Sequence, residues 1–316
     1  MTSKYIICGF ILFAYPLVGA GLDSCKMIRD GTKRLACYDE FHGYMELTKE
    51  NDSDEVELKQ KPENSKSSGF ALLPHKQSFF MPVSYNTDRR PVGELLGGTT
   101  DKEFDNLETK FQISFKMSLW DEIFDKDSNL MVAYSQKSYW QMYNSDLSSP
   151  FRETNYEPEV FISKKTNIDI FGLDLSEINI GFVHESNGRS NLFSRSWNRG
   201  YAKLILQNDN FVLSMKPWIR VNEDLEDDDN PDIEDYLGHY ELSMLYQWHD
   251  TEFSVMLRNL NSDKHQETYQ VNWLFPINRK IDIYFEYFHG YGESLIDYGH
   301  LSKTFGVGFS INDSIE

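Results

Sequence analysis

Leu107-Glu108-Thr109-Lys110-Phe111-Gln112-Ile113-Ser114-Phe115-Lys116-Met117-Ser118-Leu119 is the stretch on which the fold turns. Leu107, Thr109, Phe111, Ile113, Phe115, Met117 and Leu119 form one mostly apolar set, and Glu108, Lys110, Gln112, Ser114 and Lys116 form the other. Successive side chains of a strand point to opposite faces, so an extended chain separates the two sets. A helix of about 3.6 residues per turn would mix them. The same division recurs with Phe211, Leu213, Met215 and Ile219 against Ser214, Lys216 and Arg220, and with Ile281, Ile283, Phe285 and Tyr287 against Asp282, Tyr284 and Glu286.

From about Gln77 to Ile311 this alternation repeats often enough to predict an all-β chain of twelve antiparallel strands. A soluble β-sandwich also alternates, so the connections decide. Every second one is short or modest, at 121–128, 208–210, 249–251 and 276–280, while those at 87–105, 222–235 and 290–303 are longer or strongly polar. Turns at one end, loops at the other and an even strand number predict a transmembrane β-barrel. Aromatic residues reach 15% while the mean hydropathy is polar, which suits alternating strands better than membrane-spanning helices. Beyond residue 20 no stretch approaches the roughly 20 apolar residues of a spanning helix, so a membrane form of this chain is a closed barrel.

Lys4, the apolar run from Tyr5 through Val18 and the small residues Val18-Gly19-Ala20 lay out a secretory signal peptide over residues 1–20. Its removal takes Cys8 and leaves Cys25 and Cys37 in an exported chain, where they are expected to pair. Residues 21–76 read as a periplasmic segment whose polar part, Lys49 to Ser68, is too poor in apolar residues to bury a core, and the barrel occupies 77–316. The net charge of -19 argues against a nucleic-acid partner, because affinity for phosphate backbones comes from clustered Lys and Arg. With the N-terminal segment in the periplasm, odd-numbered strands run outward and the long loops face the cell exterior.

The fifth strand, about 174–186, sets Ile178, Ile180, Phe182, His184 and Ser186 on the face that must look at lipid. The sixth, 194–207, sets Asn198, Ala202, Leu204 and Leu206 on the same face, and a hairpin centred near Asn191 puts Asn198 about opposite His184. Three polar residues turned toward hydrocarbon are costly without a purpose. Together they make a nucleophile, a base and an orienter. Taken alone, His-x-Ser also fits an interfacial polar pair. A barrel without catalysis, a porin or a structural protein, accounts for the alternation, loops and charge. It does not account for the shared lipid face, and the inward charges Lys110, Glu177, Arg199 and Lys203 point to a salt-bridged interior rather than a wide pore.

His184-Glu185-Ser186-Asn187-Gly188-Arg189-Ser190 followed by Ser194-Arg195-Ser196-Trp197-Asn198-Arg199 closely resembles the active-site segment of the outer-membrane phospholipase A family. Ser148 to Pro158, Lys216-Pro217-Trp218, Asp229-Asn230-Pro231-Asp232 and Gly290 to Tyr298 match in order, and the resemblance spans about 77–313. It implies a twelve-stranded barrel in which Ser186, His184 and Asn198 hydrolyse phospholipids at either acyl position, lysophospholipids included. It also implies a calcium-bound homodimer. Arg189 would offer its carbonyl and Ser194 its hydroxyl from one subunit, and Ser148 its carbonyl from the second, with water completing a shell of about six to eight oxygens. Asp229 matches the family's weaker calcium position, and Gln136, beside Val132 and Tyr134 on the lipid side of the third strand, matches a polar dimer contact. Two departures stand out. Asn191 replaces the Asp that often follows Gly-Arg-Ser, which leaves a monomer calcium site poorer, and the chain ends Ser314-Ile315-Glu316 rather than on an aromatic. Glu293, Ser294 and Asp297 have no histidine at matching depth and read as loop residues, while His239, His265, His289 and His300 lack metal-ligand spacing.

Overall fold

A computed structural model describes residues 71–91, 103–224, 226, 228–260 and 264–311, apart from the side chain of Asn191. The expected signal peptide, the Cys25 and Cys37 pair, the linker and residues 312–316 lie outside the described residues. Twelve strands of 8 to 20 residues run through the rest. They are β1 (Phe79–Asn86), β2 (Leu107–Trp120), β3 (Ser128–Trp140), β4 (Phe151–Ile170), β5 (Leu173–Ser186) and β6 (Ser196–Gln207), then β7 (Phe211–Val221), β8 (Tyr240–Trp248), β9 (Thr251–Arg258), β10 (Thr268–Asn278), β11 (Ile281–Gly290) and β12 (Ser302–Ile311). Each pairs antiparallel with the next and β12 pairs with β1, which closes the ring and leaves no unpaired edge in it. A two-residue strand, Leu73–Pro74, continues the pairing along β2 beyond the start of β1.

Short connections at 121–127, 171–172, 208–210, 249–250 and 279–280 gather at one end of the barrel, and longer ones at 87–106, 141–150, 187–195, 222–239, 259–267 and 291–301 at the other. The alternation predicted from sequence holds, with local slips that have identifiable causes. A bulge between Ser118 and Trp120 turns both Leu119 and Trp120 outward. Thr109 belongs to the outward set yet is fully buried, because Met142 and Tyr143 fold over it from the β3–β4 loop. At the closing seam, bulges in β1 and β12 bring the two backbones so close that a Cβ on Gly308 would collide with the Phe80 carbonyl and Met81 Cα.

The molecule is inside out relative to a soluble protein. Ile180 is 64% exposed and Ile219 75% exposed on the outer wall, while Lys110 and Glu108 are 0% and 2% exposed within. An apolar exterior over a charged interior is stable only when hydrocarbon surrounds it. Lys110 Nζ meets Glu286 Oε1 at 2.7 Å and Glu293 Oε1 at 3.2 Å. Arg152 bridges Glu108, at 3.0 Å, to Asp297, and Arg89 joins Glu108 at 2.8 Å. Glu293 and Asp297 therefore serve as loop residues that tie 291–301 into the barrel mouth. Arg199 pairs with Glu185 at 2.7 Å, whereas Glu177 accepts a hydrogen bond from Ser163 and Lys203 forms no ion pair among the described residues. A cavity of about 450 Å³ remains inside, narrowed by His75 and Lys76, which reach in to Glu159 and Glu157.

Candidate active site

The β5–β6 hairpin turns through a single 3₁₀ turn, Asn191–Phe193, and its register pairs His184 with Asn198 and Ser186 with Ser196. Residues paired across a sheet share a face, so His184, Ser186 and Asn198 all lie on the outer wall above Phe182 and Ile180. His184 Nδ1 and Asn198 Oδ1 are 2.9 Å apart. An amide oxygen only accepts, so with this orientation Nδ1 carries the ring proton and Nε2 is left as the acceptor. Ser186 lies two residues along the same face, and among the described residues its hydroxyl makes no hydrogen bond to the ring. Ser186 is also paired with Tyr156 on β4, and Tyr156 with Gln136 on β3, which sets Gln136 in the same outward row. Tyr134 donates to the Gln136 side-chain oxygen at 3.0 Å.

Behind this wall the inward residues of the same strands form a packed layer. Glu185 accepts from Trp197 Nε1 at 3.0 Å and from Arg199 at 2.7 Å, and the Arg199 guanidinium sits 3.8 Å from the Trp197 ring centre. Such a stacked, desolvated cation contributes up to about 2 kcal/mol and holds the hairpin rigid from within. Trp197 in turn packs with Trp218, Leu295 and the buried Ile233 and Leu237 of the helix α1 (Ile233–Leu237). The 222–239 loop is thereby seated on the hairpin. From it, Glu223 Oε1 accepts a hydrogen bond from Asn198 Nδ2 at 2.9 Å.

The residues expected to bind calcium sit on the connecting loops. Asn187, 4% exposed, spans the 187–195 loop: its side chain donates to the Phe193 carbonyl at 2.8 Å and accepts from the Arg189 and Arg195 amides at 3.2 and 3.0 Å. The Arg189 side chain is anchored to Glu153 at 3.1 Å and to the Arg152 carbonyl. Ser194 donates to Asp229 Oδ2 at 2.5 Å, and Asn230 accepts from the Ser196 amide at 3.0 Å. Ser148 is exposed on the 141–150 loop in a left-handed conformation, φ 61°, and no hydrogen bond links it to Arg189, Ser194 or Asp229 among the described residues. The structure thus joins Ser194 to Asp229 and keeps Ser148 on a separate loop. Carbonyl, hydroxyl and carboxylate oxygens are donors that suit a hard divalent cation such as calcium. Among the described residues no three His, Cys, Asp or Glu cluster as metal ligands. Nearby, Tyr298 donates to Asp232 while its ring lies 5.8 Å from the Arg195 guanidinium, and burial with that hydrogen bond pushes the phenol up.

Periodicity carries no signal for Glu223, which lies in an irregular loop; it sets Glu153 inward on β4 with Asn155 and Glu159 but does not encode its pairing with Arg189. Asn187 could have been singled out, because an Asn at a strand-to-loop junction hydrogen-bonds local backbone readily.

Known proteins resemble this chain in sequence and fold. Residues 55–311 match the family model described as Phospholipase A1. Phospholipase A1 of Klebsiella pneumoniae is 42% identical over 206 residues, 65% of this chain and 71% of that protein, and the Escherichia coli K12 protein of the same name is 41% identical over 206 residues, 65% and 70%. Among solved structures, outer membrane phospholipase A from Escherichia coli superposes with a TM-score of 0.72 at 37% identity, covering 78% of this chain and 100% of that one. The Salmonella typhi outer membrane phospholipase dimer with bound calcium gives 0.72 at 36% identity, covering 78% and 94%.

Proposed function

Because this chain belongs to the phospholipase A1 family and is an integral β-barrel of the outer membrane, we propose that it hydrolyses phospholipid acyl esters with Ser186, His184 and Asn198. The observation that carries the reading is the 2.9 Å contact between His184 Nδ1 and Asn198 Oδ1 on the outer wall, with Ser186 on the same face. Ser186 Oγ attacks the acyl carbonyl while His184 Nε2 takes its proton. The Asn198 oxygen holds the Nδ1 proton, keeping the ring in the tautomer that leaves Nε2 basic. His184 then returns the proton to the departing lysophospholipid oxygen. Water, activated by the same ring, releases the fatty acid from the serine ester. Lysophospholipids fit the same chemistry, since one ester suffices.

The Arg189 carbonyl, the Ser194 hydroxyl and, in a homodimer, the carbonyl of Ser148 of the partner subunit would hold calcium, which supplies positive charge for the oxyanion, with Asp229 as a weaker position. The calcium-bound dimer of the Salmonella typhi relative supports this assignment, as does the all-oxygen donor set. Gln136 would contribute a polar contact across the dimer interface. In the same reading residues 1–20 direct export, 21–76 lie in the periplasm and 77–316 form the barrel, with the site toward the outer leaflet.

The test is fatty-acid release from phosphatidylethanolamine in detergent micelles by the purified barrel. The native protein should release fatty acid with calcium. Ser186→Ala should lose release by at least about a thousandfold while keeping heat-modifiable migration on gels, because the residue lies at an outer strand end. Full activity in that variant removes Ser186 as the nucleophile.

A further inference from the structure

An asparagine that orients a histidine has a weakness: its two ends have nearly the same size. With the amide reversed, the NH₂ would face His184 Nδ1 and hold the ring with its proton on Nε2, aimed at Ser186, so that the ring could not act as a base. We propose that Glu223 is a positioning residue that locks the Asn198 amide in the one orientation His184 can use. The inference rests on the Ser186, His184 and Asn198 reading above.

The geometry supplies the reason. Asn198 is paired with Val221 at the end of β7, and Glu223 follows two residues later as the chain enters the 222–239 loop. Glu223 Oε1 lies 2.9 Å from Asn198 Nδ2, opposite the end that meets His184. A carboxylate only accepts hydrogen bonds, so the NH₂ end is the only end of the amide it will hold. Reversal would bring two oxygens together at that distance. The bond is charge-assisted, roughly twice as strong as a neutral one, and it polarises the amide so that the oxygen facing His184 becomes a better acceptor. The Glu223 charge also favours the imidazolium formed when Ser186 gives up its proton, which a neutral amide does poorly alone. The chain of contacts therefore runs Glu223, Asn198, then His184, with Ser186 on the same face two residues away. Around it, Tyr156 on β4 is the other ionisable group in the outward row, β6 presents Ser196 and Asn198, and β7 presents Val221. Glu185 and Arg199 face inward and pair with each other, and Arg189 and Arg195 are bonded to Glu153 and to loop carbonyls.

The test is a set of full-length barrel variants assayed on micellar phospholipid with saturating calcium across pH. Glu223→Gln and Glu223→Ala should each lower kcat about five- to twentyfold with KM within about twofold. Glu223→Asp should restore part of the rate. The decisive arm uses Asn198→Asp, in which two carboxylates face each other: E223Q should lower activity in the native background and raise it in the N198D background. A purely structural loop role predicts loss in both. Native kcat in all Glu223 variants, or a further loss on adding E223Q to N198D, overturns the proposal. Ser186→Ala and His184→Ala run alongside, so that retained activity in those variants is read as failure of the site assignment and not of Glu223.

Discussion

Asn198 stands where a hydrolytic serine site more often carries a carboxylate, and the difference sets how much each residue should matter. In the proposed site its side chain holds His184 Nδ1 at 2.9 Å but adds no charge of its own, so its loss should be partial. Asn198→Ala is expected to lower kcat roughly ten- to hundredfold while leaving a measurable remainder, because Ser186 and His184 keep their places on β5. Turnover equal to the native protein in the micelle assay would show that Asn198 does not orient the ring. The position of Asn198 opposite His184 was legible from the alternation and the hairpin centre alone. The role of Glu223 was not, because a residue in an irregular loop has no period by which to be placed.

At the scale of the element, the β5–β6 hairpin presents the proposed catalytic side chains on its outer face and candidate calcium donors on its loop, and one buried side chain ties the two together. Asn187 satisfies a carbonyl and two amides of the 187–195 loop. Replacing it by alanine strands buried polar groups at about 1–3 kcal/mol each and frees the backbone around Arg189 and Ser194. Asn187→Ala should therefore raise the calcium concentration for half-maximal hydrolysis by about tenfold or more, while the barrel still migrates as a folded species. A calcium titration of fatty-acid release measures this, and an unchanged midpoint would mean that the loop is held by other contacts. The hairpin itself needs no such help, because its register is fixed by twelve residue pairs along β5 and β6.

For the whole molecule, the proposed site on a convex barrel wall is expected to make a monomer a poor catalyst. His184, Ser186 and Asn198 sit on a convex wall, which offers no cleft for an acyl chain or an oxyanion. A second barrel packed against that wall would supply both, and the exposed Ser148 loop would reach the Arg189 and Ser194 donors of the partner. Calcium is therefore expected to promote association and turnover together. Crosslinking and analytical ultracentrifugation in detergent, with EDTA added and then back-titrated with calcium, should show the two rising in parallel. A calcium-free monomer of full activity would sink the shared-site mechanism while leaving the Ser186 and His184 assignments standing.

The sequence by itself determined the barrel, its strand number and the outward face of the site. These follow from a period of two, which is local, and from connection lengths, which are read directly along the chain. It also determined that His184 and Asn198 meet, because a hairpin's register is set by its centre. Only the tertiary structure decided the contacts that join distant segments: Arg152 with Glu108 and Asp297, Lys110 with Glu286 and Glu293, Ser194 with Asp229, and Glu223 behind Asn198. Inward charges are all alike to a pattern of alternation. Which of them pair depends on how closing the ring stacks the strands and folds the loops into its mouth, and no spacing along the chain encodes that.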